Sequence, residues 1–393
     1  MHYDFDVLPQ RRGTPSLKWN AYDADVLPLW VADMDFPSPQ PVIDALRRQV
    51  DSGLFGYPNM ALHGDGLDLP TFRGSLVDRM AVRYHWHIQP QDIVFIPGVV
   101  VGFNTAAYAL CAPGEAMVVQ PPIYPPMLMA AEATQRRRVD APLVRQPDGS
   151  YVIDWDSFEA TLTPDTRMFL FCNPHNPIGR VYTREEISRL AEICLKHDLA
   201  IVSDEIHSDL VYRGQTHIPI ASLSPEIAER TITLIAPSKT FNLPGLQCSI
   251  AIITNPEVRR RYEAAKQSLV PWVNLMGLIA GEAAYRDGQD WLDQALMYLE
   301  DNRDFLYDYV QRELPSITMA KPEGTYLAWL DCRAAGIEGS PYQFFLDKAR
   351  VALNDGAAFG TSGEGFVRLN FACPRSVLKA ALERMTAALV SNQ

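Results

Sequence analysis

The chain has 393 residues, of which 47% are hydrophobic and 21% are charged, and its formal net charge is −12. A chain of this length has enough apolar material for two domains rather than one. The acidic balance, without any dense cluster of lysine and arginine, argues against a nucleic-acid partner or an acidic membrane surface. No stretch approaches the roughly 18 apolar residues that span a bilayer, and the first residues do not resemble a signal peptide. The six cysteines form no Cys-x-x-Cys pair, so we expect a reduced, cytoplasmic protein.

Short apolar runs alternate with helical patterns between about residues 90 and 255, which predicts an α/β domain with a mostly parallel, doubly wound sheet. Thr183 and Glu186 form a capping box, which predicts a helix over Thr183–His197. The predicted strands are Ile93–Ile96, Met117–Gln120, Met168–Cys172, Ala200–Ser203, Thr231–Ile235 and Ser249–Ile253.

Beyond the last of these strands the pattern becomes helical, with apolar residues three or four apart from Leu292 to Val310. A smaller α+β domain is predicted to follow, with these elements: strand Tyr326–Leu330, helix Pro341–Arg350, strand Phe366–Phe371 and a closing helix from Pro374. We therefore predict a large domain over residues 44–287 and a small domain formed by residues 1–43 and 288–393.

An acid and a lysine follow two of the predicted strands. Asp204 comes after the apolar run 199–202, and Lys239 comes after the run 231–235. Because ligands of open α/β sheets lie at the carboxyl ends of the strands, both side chains are expected in one crevice. A lysine can bind an aldehyde cofactor covalently, and an acid can keep the cofactor's ring nitrogen protonated. The pair predicts a pyridoxal phosphate site, although singly each residue also fits a helix cap or a solvated turn.

Two further segments fit such a site. Phe171–Gly179 contains two Asn-Pro pairs, which favour a rigid turn that directs the Asn176 amide toward a ligand. Pro97–Gly102 joins a strand to a helix, and the free N–H groups of a helix start favour a phosphate. Taken alone, each segment is also compatible with an ordinary structural loop.

Taken together, these motifs resemble the fold-type I pyridoxal phosphate enzymes of the aminotransferase class I/II superfamily, over nearly the whole chain. Within that superfamily the chain is most similar to the cystathionine β-lyase branch of carbon–sulfur β-lyases, the MalY/PatB type. This narrower likeness is carried by Trp30–Phe36, Asp204–Asp209 and Pro237–Gln247.

The resemblance implies pyridoxal 5'-phosphate as the cofactor, with Lys239 and Asp204 as catalytic residues. It implies a phosphate cup at Gly98, Val99 and Val100, an aromatic side chain on the cofactor ring at Tyr124, and further cofactor contacts from Asn176, His207 and Ser238. Tyr57 matches a residue that reaches the cofactor phosphate of the neighbouring subunit, so it joins the catalytic set and implies a homodimer with a shared site.

Arg368 interrupts the apolar strand Phe366–Phe371. One interpretation is an edge-strand arginine that extends into solvent. The other, which the resemblance favours, is a planar fork that binds the α-carboxylate of a small amino-acid substrate.

Three positions depart from the aminotransferase pattern: His207 replaces a tyrosine, Ala236 replaces a serine, and Gln247 replaces an arginine that pairs with the phosphate. The β-lyase branch shows similar changes. In addition, the segment 60–70 is longer than the corresponding family loop and is expected near the entrance of the site.

These observations predict a carbon–sulfur β-lyase that converts a sulfur amino acid to a thiol, pyruvate and ammonia. The alternatives are a class I/II aminotransferase and a catalytically idle binding or regulatory protein on the same fold. No His-x-x-x-His or His-Glu-x-x-His spacing occurs, so no metal site is expected. The sequence does not distinguish among cystathionine, cysteine and S-substituted cysteines as substrates.

Overall fold

The computed structural model describes residues 1–58, 69–267 and 269–392. Its largest sheet has seven strands that lie between about residues 90 and 255. In chain order they are β1 (Ile93–Ile96), β2 (Ala116–Val119), β3 (Arg137–Asp140), β4 (Thr166–Cys172), β5 (Ala200–Asp204), β6 (Thr231–Ile235) and β7 (Ser249–Ile252).

The strands of this sheet lie in the order β1-β7-β6-β5-β4-β2-β3. The neighbours from β6 to β3 pair in parallel, whereas β7 is antiparallel to both β6 and β1. The expectation of a mostly parallel sheet is confirmed, and β7 is the exception. All residues of β1, β2, β6 and β7 are buried, as expected for strands that are covered on both faces.

Helices cover the two faces of the sheet. Alternate residues of β4 show this, since Met168 and Leu170 pack in one apolar cluster while Phe169 and Phe171 pack in another. The predicted helix after β4 spans Arg184–Lys196, and Thr183 and Glu186 form the expected capping box. The other long helices of this part of the chain are Gln40–Ser52, Leu69–Tyr84, Val99–Leu110, Pro125–Ala133, Pro256–Lys266 and Leu275–Asp287.

The long helix Gln289–Glu313 leads from the large sheet to a second, antiparallel sheet. This sheet contains β8 (Leu327–Asp331), β9 (Asn354–Asp355) and β10 (Phe366–Asn370), with β10 in the centre. The closing helix spans Arg375–Val390.

The helix predicted over Pro341–Arg350 is not continuous. It is α-helical only over Pro341–Phe344, then forms a π-turn over Phe345–Ala349, and Arg350 ends it with a left-handed φ of 54°. The π-turn accommodates one extra residue, which sequence periodicity does not reveal.

The N-terminal residues contact the part of the chain that contains the second sheet, because the short strand Leu27–Pro28 pairs in parallel with Val351–Ala352. This pairing agrees with a small domain built from both ends of the chain. The limits 1–43, 44–287 and 288–393 remain our proposal, and the limit at residue 44 falls within the helix Gln40–Ser52.

In the described part of the chain, no helix combines the length and the apolar character needed to cross a membrane. Most of the segment 60–70, which we expect near the site entrance, lies outside the described residues.

Candidate active site

A cavity of about 380 Å³ lies at the carboxyl ends of the parallel strands, between the large sheet and β10. The residues that line it include every predicted site residue except Tyr57 and Ser238: Gly98, Val99, Val100, Tyr124, Asn176, Asp204, His207, Lys239 and Arg368. The convergence expected from the strand ends is therefore present in the structure.

Asp204 is the last residue of β5 and is buried. Its Oδ1 accepts a hydrogen bond from the Ile206 backbone N–H at 3.1 Å. Burial raises the pKa of this carboxyl to about 7, and the nearby Lys239 opposes the shift. A cation bound beside Asp204 would favour the ionised carboxylate in the same way as Lys239 does.

Lys239 lies in the short helix Pro237–Thr240, which follows β6 after one residue. Its Nζ donates a hydrogen bond of 2.6 Å to the carbonyl oxygen of Ala32. Burial and the positive charge of Arg368 lower the pKa of this amine to about 8. A substantial fraction of the amine is then neutral just above neutral pH, which is what a nucleophile and a general base require.

Arg368 lies in the central strand β10, and only 4% of its surface is exposed. The alternative of an edge-strand arginine in solvent is therefore wrong. Nη1 donates to Asn176 Oδ1 at 3.0 Å, and Nη2 donates to the Trp30 carbonyl oxygen at 2.9 Å. The guanidinium stacks on the Phe359 ring, 5.0 Å from its centroid, and burial lowers the pKa of the guanidinium to about 10.

Two buried nitrogen atoms of this cavity's residues have no hydrogen-bond partner within the described chain: Arg368 Nε and His207 Nδ1. Burial lowers the pKa of His207 well below its usual range, so the imidazole is neutral. Buried polar groups without partners are rare in folded proteins and commonly await a ligand or water.

The strand-to-helix turn after β1 gives the cavity a second polar edge. Gly98 caps the helix Val99–Leu110, and a Cβ placed on Gly98 would meet no atom within 4 Å. The N–H groups at the start of this helix have no partner within the helix, so they can bind an anion. The open space beside Gly98 fits a phosphate at this position.

Tyr57 and Ser238 are not among the residues that line the cavity. Tyr57 is 92% exposed, and its ring meets that of Trp272 at a centroid distance of 5.6 Å. These two residues line a separate depression on the surface. Within a single chain Tyr57 therefore lies apart from the site, and Ser238 lies beside Lys239 outside the lining.

The main-chain oxygens of Trp30 and Ala32 are site components that residue types alone do not identify. In the sequence, Trp30–Phe36 is distinguished only by its family likeness, because a carbonyl group carries no sequence signal. Leu17 and Asn354 also line the cavity and were not predicted. Both are remote in sequence from the strand ends that reveal the other residues.

A search against protein families matches residues 24–385 to the model described as aminotransferase class I and II. The chain belongs to this family. The superfamily predicted from the motifs is thereby confirmed, and with it the fold type.

The relatives of this chain include proteins named as a lyase and as an aminotransferase. Cystathionine beta-lyase PatB of Bacillus subtilis is 40% identical over 98% of this chain and 100% of the relative. Protein MalY of Escherichia coli is 32% identical over 96% of each chain. An aspartate aminotransferase of Geobacillus stearothermophilus is 27% identical over 92% of this chain and 90% of its own.

Solved structures agree with this grouping. The match to cystalysin from Treponema denticola, which contains pyridoxal 5'-phosphate, covers 100% of this chain and 100% of the cystalysin chain, with a TM-score of 0.94 and 33% identity. The PLP-bound C-S lyase from Staphylococcus hominis covers 99% of this chain and 100% of its own, with a TM-score of 0.92 and 33% identity.

Proposed function

We propose that this protein is a pyridoxal 5'-phosphate-dependent carbon–sulfur β-lyase that converts a sulfur amino acid and water to a thiol, pyruvate and ammonia. The observation that carries the proposal is the convergence of Lys239, Asp204 and Arg368 in one buried cavity. The relatives named as cystathionine beta-lyases, at 34–40% identity over almost the full chain, support the same reaction.

The residues of the cavity fit this cofactor. The helix start at Gly98 would hold the phosphate, Tyr124 would cover the ring, and Lys239 would bind the aldehyde carbon. Asp204 would hold the proton on the ring nitrogen, and that cation would bring the pKa of Asp204 down again. When bound, the cofactor withdraws electrons from the α-carbon of an amino acid, which makes its α-proton acidic.

The chain's own residues supply the remaining steps. Arg368 binds the substrate α-carboxylate and fixes its orientation. The neutral Nζ of Lys239 takes the α-proton as general base, after which the bond between the β-carbon and sulfur breaks and the electron pair leaves on sulfur.

Aminotransfer is the second candidate, because the chain's own family is the aminotransferase family. The position where aminotransferases of this family carry a tyrosine holds His207 here, with a neutral and buried ring. Gln247, at the position of the phosphate-binding arginine, is exposed and does not line the cavity. Both departures favour elimination over aminotransfer. The third candidate, an idle protein, lacks support because the lysine, aspartate and arginine are all in place.

The test is to incubate the purified, cofactor-loaded protein with L-cystathionine, L-cysteine and an S-alkylcysteine in the absence of a keto acid. We expect stoichiometric pyruvate and free thiol, with Lys239→Ala as the inactive control. Aminotransfer to 2-oxoglutarate is followed on the same preparation. Faster amino-group transfer than thiol release across all three substrates would overturn the lyase assignment.

We also propose a homodimer whose sites are shared between subunits. Five large apolar side chains are more than half exposed on one side of the molecule: Leu54, Phe55, Tyr57, Leu269 and Trp272. Such patches are typical of protein–protein interfaces. Since Tyr57 lies apart from its own cavity, we propose that it reaches the cofactor phosphate of the partner subunit.

Complementation tests this arrangement. Lys239→Ala dimers are expected to be inactive and Tyr57→Ala dimers weakly active, and subunit exchange would create heterodimers with one site that has both side chains. Activity should therefore rise on mixing. If each chain completed its own site, mixing would restore nothing, and the shared-site proposal would be wrong. Light scattering on the same samples reports the oligomeric state.

We propose a cytoplasmic location on the chemistry of the cysteines. All six lie in the described part of the chain and are free and buried. Free thiols of this kind are typical of proteins in reducing compartments.

A further inference from the structure

The segment Trp30–Phe36, here called the carbonyl segment, has no regular secondary structure, and its residues Trp30, Val31 and Ala32 form one wall of the cavity. Its carbonyl groups bind the site's two cationic side chains. The Ala32 oxygen accepts from Lys239 Nζ at 2.6 Å and from the Tyr326 hydroxyl at 2.9 Å. The Trp30 oxygen accepts from Arg368 Nη2 at 2.9 Å. This wall therefore contacts both cationic side chains of the site directly.

Two asparagine side chains hold the carbonyl segment from other parts of the fold. Asn370 Nδ2 donates to the oxygens of Val31 at 2.6 Å and Asp33 at 2.7 Å. Asn242, three residues after Lys239, accepts from the Met34 N–H at 2.9 Å and donates to the Met34 and Phe36 oxygens. These side chains thus satisfy the hydrogen bonds of backbone groups in an irregular segment, as pairing within a sheet or helix does elsewhere.

A buried ion pair anchors the end of the carbonyl segment that lies away from the cavity. The Asp35 side chain has no exposed surface and accepts from Lys18 Nζ at 2.9 Å, Trp19 Nε1 at 2.7 Å and Arg11 Nη1 at 2.6 Å. The Lys18 side chain is also fully buried and donates to the Asp33 oxygen at 3.3 Å. The Asp35 N–H itself donates to the Ala372 oxygen at 2.8 Å.

A buried ion pair contributes little net stability, because removing two charges from water cancels most of their attraction. Stability alone therefore does not account for Lys18 and Asp35 in this position. The contacts of the pair offer another explanation. Lys18 donates to both Asp35 and the Asp33 carbonyl oxygen, and Asp33 is adjacent to Ala32, whose oxygen accepts the hydrogen bond from Lys239.

We propose that Lys18 and Asp35 are a positioning pair for the reaction. Through the carbonyl segment they hold the Ala32 and Trp30 oxygens where those oxygens orient the Lys239 amine and the Arg368 guanidinium. The inference rests on the proposed function for its assay, and on the contacts above for its geometry. When a mutation far from the reacting atoms displaces a catalytic group by about 1 Å, turnover can fall about 100-fold.

The test compares three variants of the cofactor-loaded protein with the wild type. Asp35→Asn removes the charge of the carboxylate and leaves the buried Lys18 ammonium with only its longer ion-pair contact, to Asp33 Oδ1 at 3.8 Å, so both the melting temperature and kcat/KM should fall. The double variant Lys18→Met/Asp35→Asn removes both charges and should regain melting temperature. If the pair positions the site, kcat/KM of the double variant stays about 100-fold low, with KM raised through Arg368 and kcat lowered through Lys239. Asp25→Asn is the control, because its ion pair with Arg350 lies on the surface of the same N-terminal region.

Visible circular dichroism of the bound cofactor provides a readout that does not depend on turnover, since it reports how the chromophore is held. We expect a changed signal in the double variant and an unchanged one in Asp25→Asn. A double variant with wild-type kcat, KM and circular dichroism would overturn the inference. If the double variant does not fold, Trp19→Phe decides, because it removes one hydrogen bond to Asp35 and keeps an aromatic ring. A several-fold rise in KM with a changed dichroism signal supports the inference, and wild-type values of both refute it.

These outcomes are separable from a failure of the proposed function. If the wild type produces no pyruvate, the lyase assignment is wrong, and the same variants are compared by their aminotransfer rates and dichroism. The positioning role concerns Lys239 and Arg368, which both reactions use.

Discussion

Replacement of Arg368 by lysine tests the substrate end of the site. One N–H group of Arg368 donates to Asn176 Oδ1 at 3.0 Å, and another donates to the Trp30 oxygen at 2.9 Å. Its Nε has no partner in the described chain. Further N–H groups remain for a bidentate pair with the substrate carboxylate. A lysine has one nitrogen, which cannot serve both acceptors and the carboxylate.

The loss corresponds to about one charge-assisted hydrogen bond to the substrate, or roughly 1.5–3 kcal/mol. We therefore expect Arg368→Lys to raise KM about 10- to 150-fold, with a smaller change in kcat because Lys239 still takes the proton.

Initial rates of pyruvate release against substrate concentration measure both constants, and the visible spectrum confirms that the variant is loaded with cofactor. Arg333→Lys is the matched control, since Arg333 is paired with Asp331 near the surface and does not line the cavity. A loaded Arg368→Lys protein with a KM within twofold of the wild type would show that this arginine does not bind the carboxylate.

Three further variants test other parts of the structure. Lys239→Ala should lose turnover by several orders of magnitude and abolish borohydride fixation of the cofactor, which peptide mapping checks, whereas an adduct on another lysine would contradict the assignment. In the cofactor-free protein, Asp204 has a folded pKa of about 7 against an ordinary 3.8, so it stays protonated when folded and ionises when unfolded. The free energy of unfolding should then fall as pH rises from about 4 to 7, by up to about 4 kcal/mol, and Asp204→Asn should remove that slope in denaturant titrations. Gly277→Ala should destabilise the protein by about 1–3 kcal/mol in the same assay, because the added Cβ would lie 2.3 Å from the Leu246 backbone oxygen, and a wild-type midpoint would contradict the close packing.

Much of the large sheet is predictable because its buried strands are apolar runs bounded by loop residues. The predicted limits of β1 and β6 match the structure, and those of the other four predicted strands differ by one or two residues. The direction of β7 is not predictable in this way, since a fully buried strand has the same composition whether it runs parallel or antiparallel. The strand β3 was missed because its residues, Arg137–Asp140, are mostly charged.

The residues of the candidate site also differ in whether the sequence predicts them. Lys239, Asp204 and Asn176 follow apolar strands, so the ends of those strands reveal them. The carbonyl segment has no periodic pattern, and its conformation is fixed by Asn242 and Asn370, which lie more than 200 residues away in sequence. The role proposed for Tyr57 depends on a second chain, whose contacts the sequence pattern of one chain does not describe.

The wall formed by the carbonyl segment joins the two ends of the chain, and this has a consequence for protein synthesis. Residues 30–36 leave the ribosome long before Asn370 and Ala372, which hold them. A nascent chain that already contains Lys239 and Asp204 therefore lacks the fixed wall that receives the lysine amine. The complete site therefore assembles only after Asn370 and Ala372 have been synthesised, and a chain truncated before Asn370 would lack their contacts with that wall.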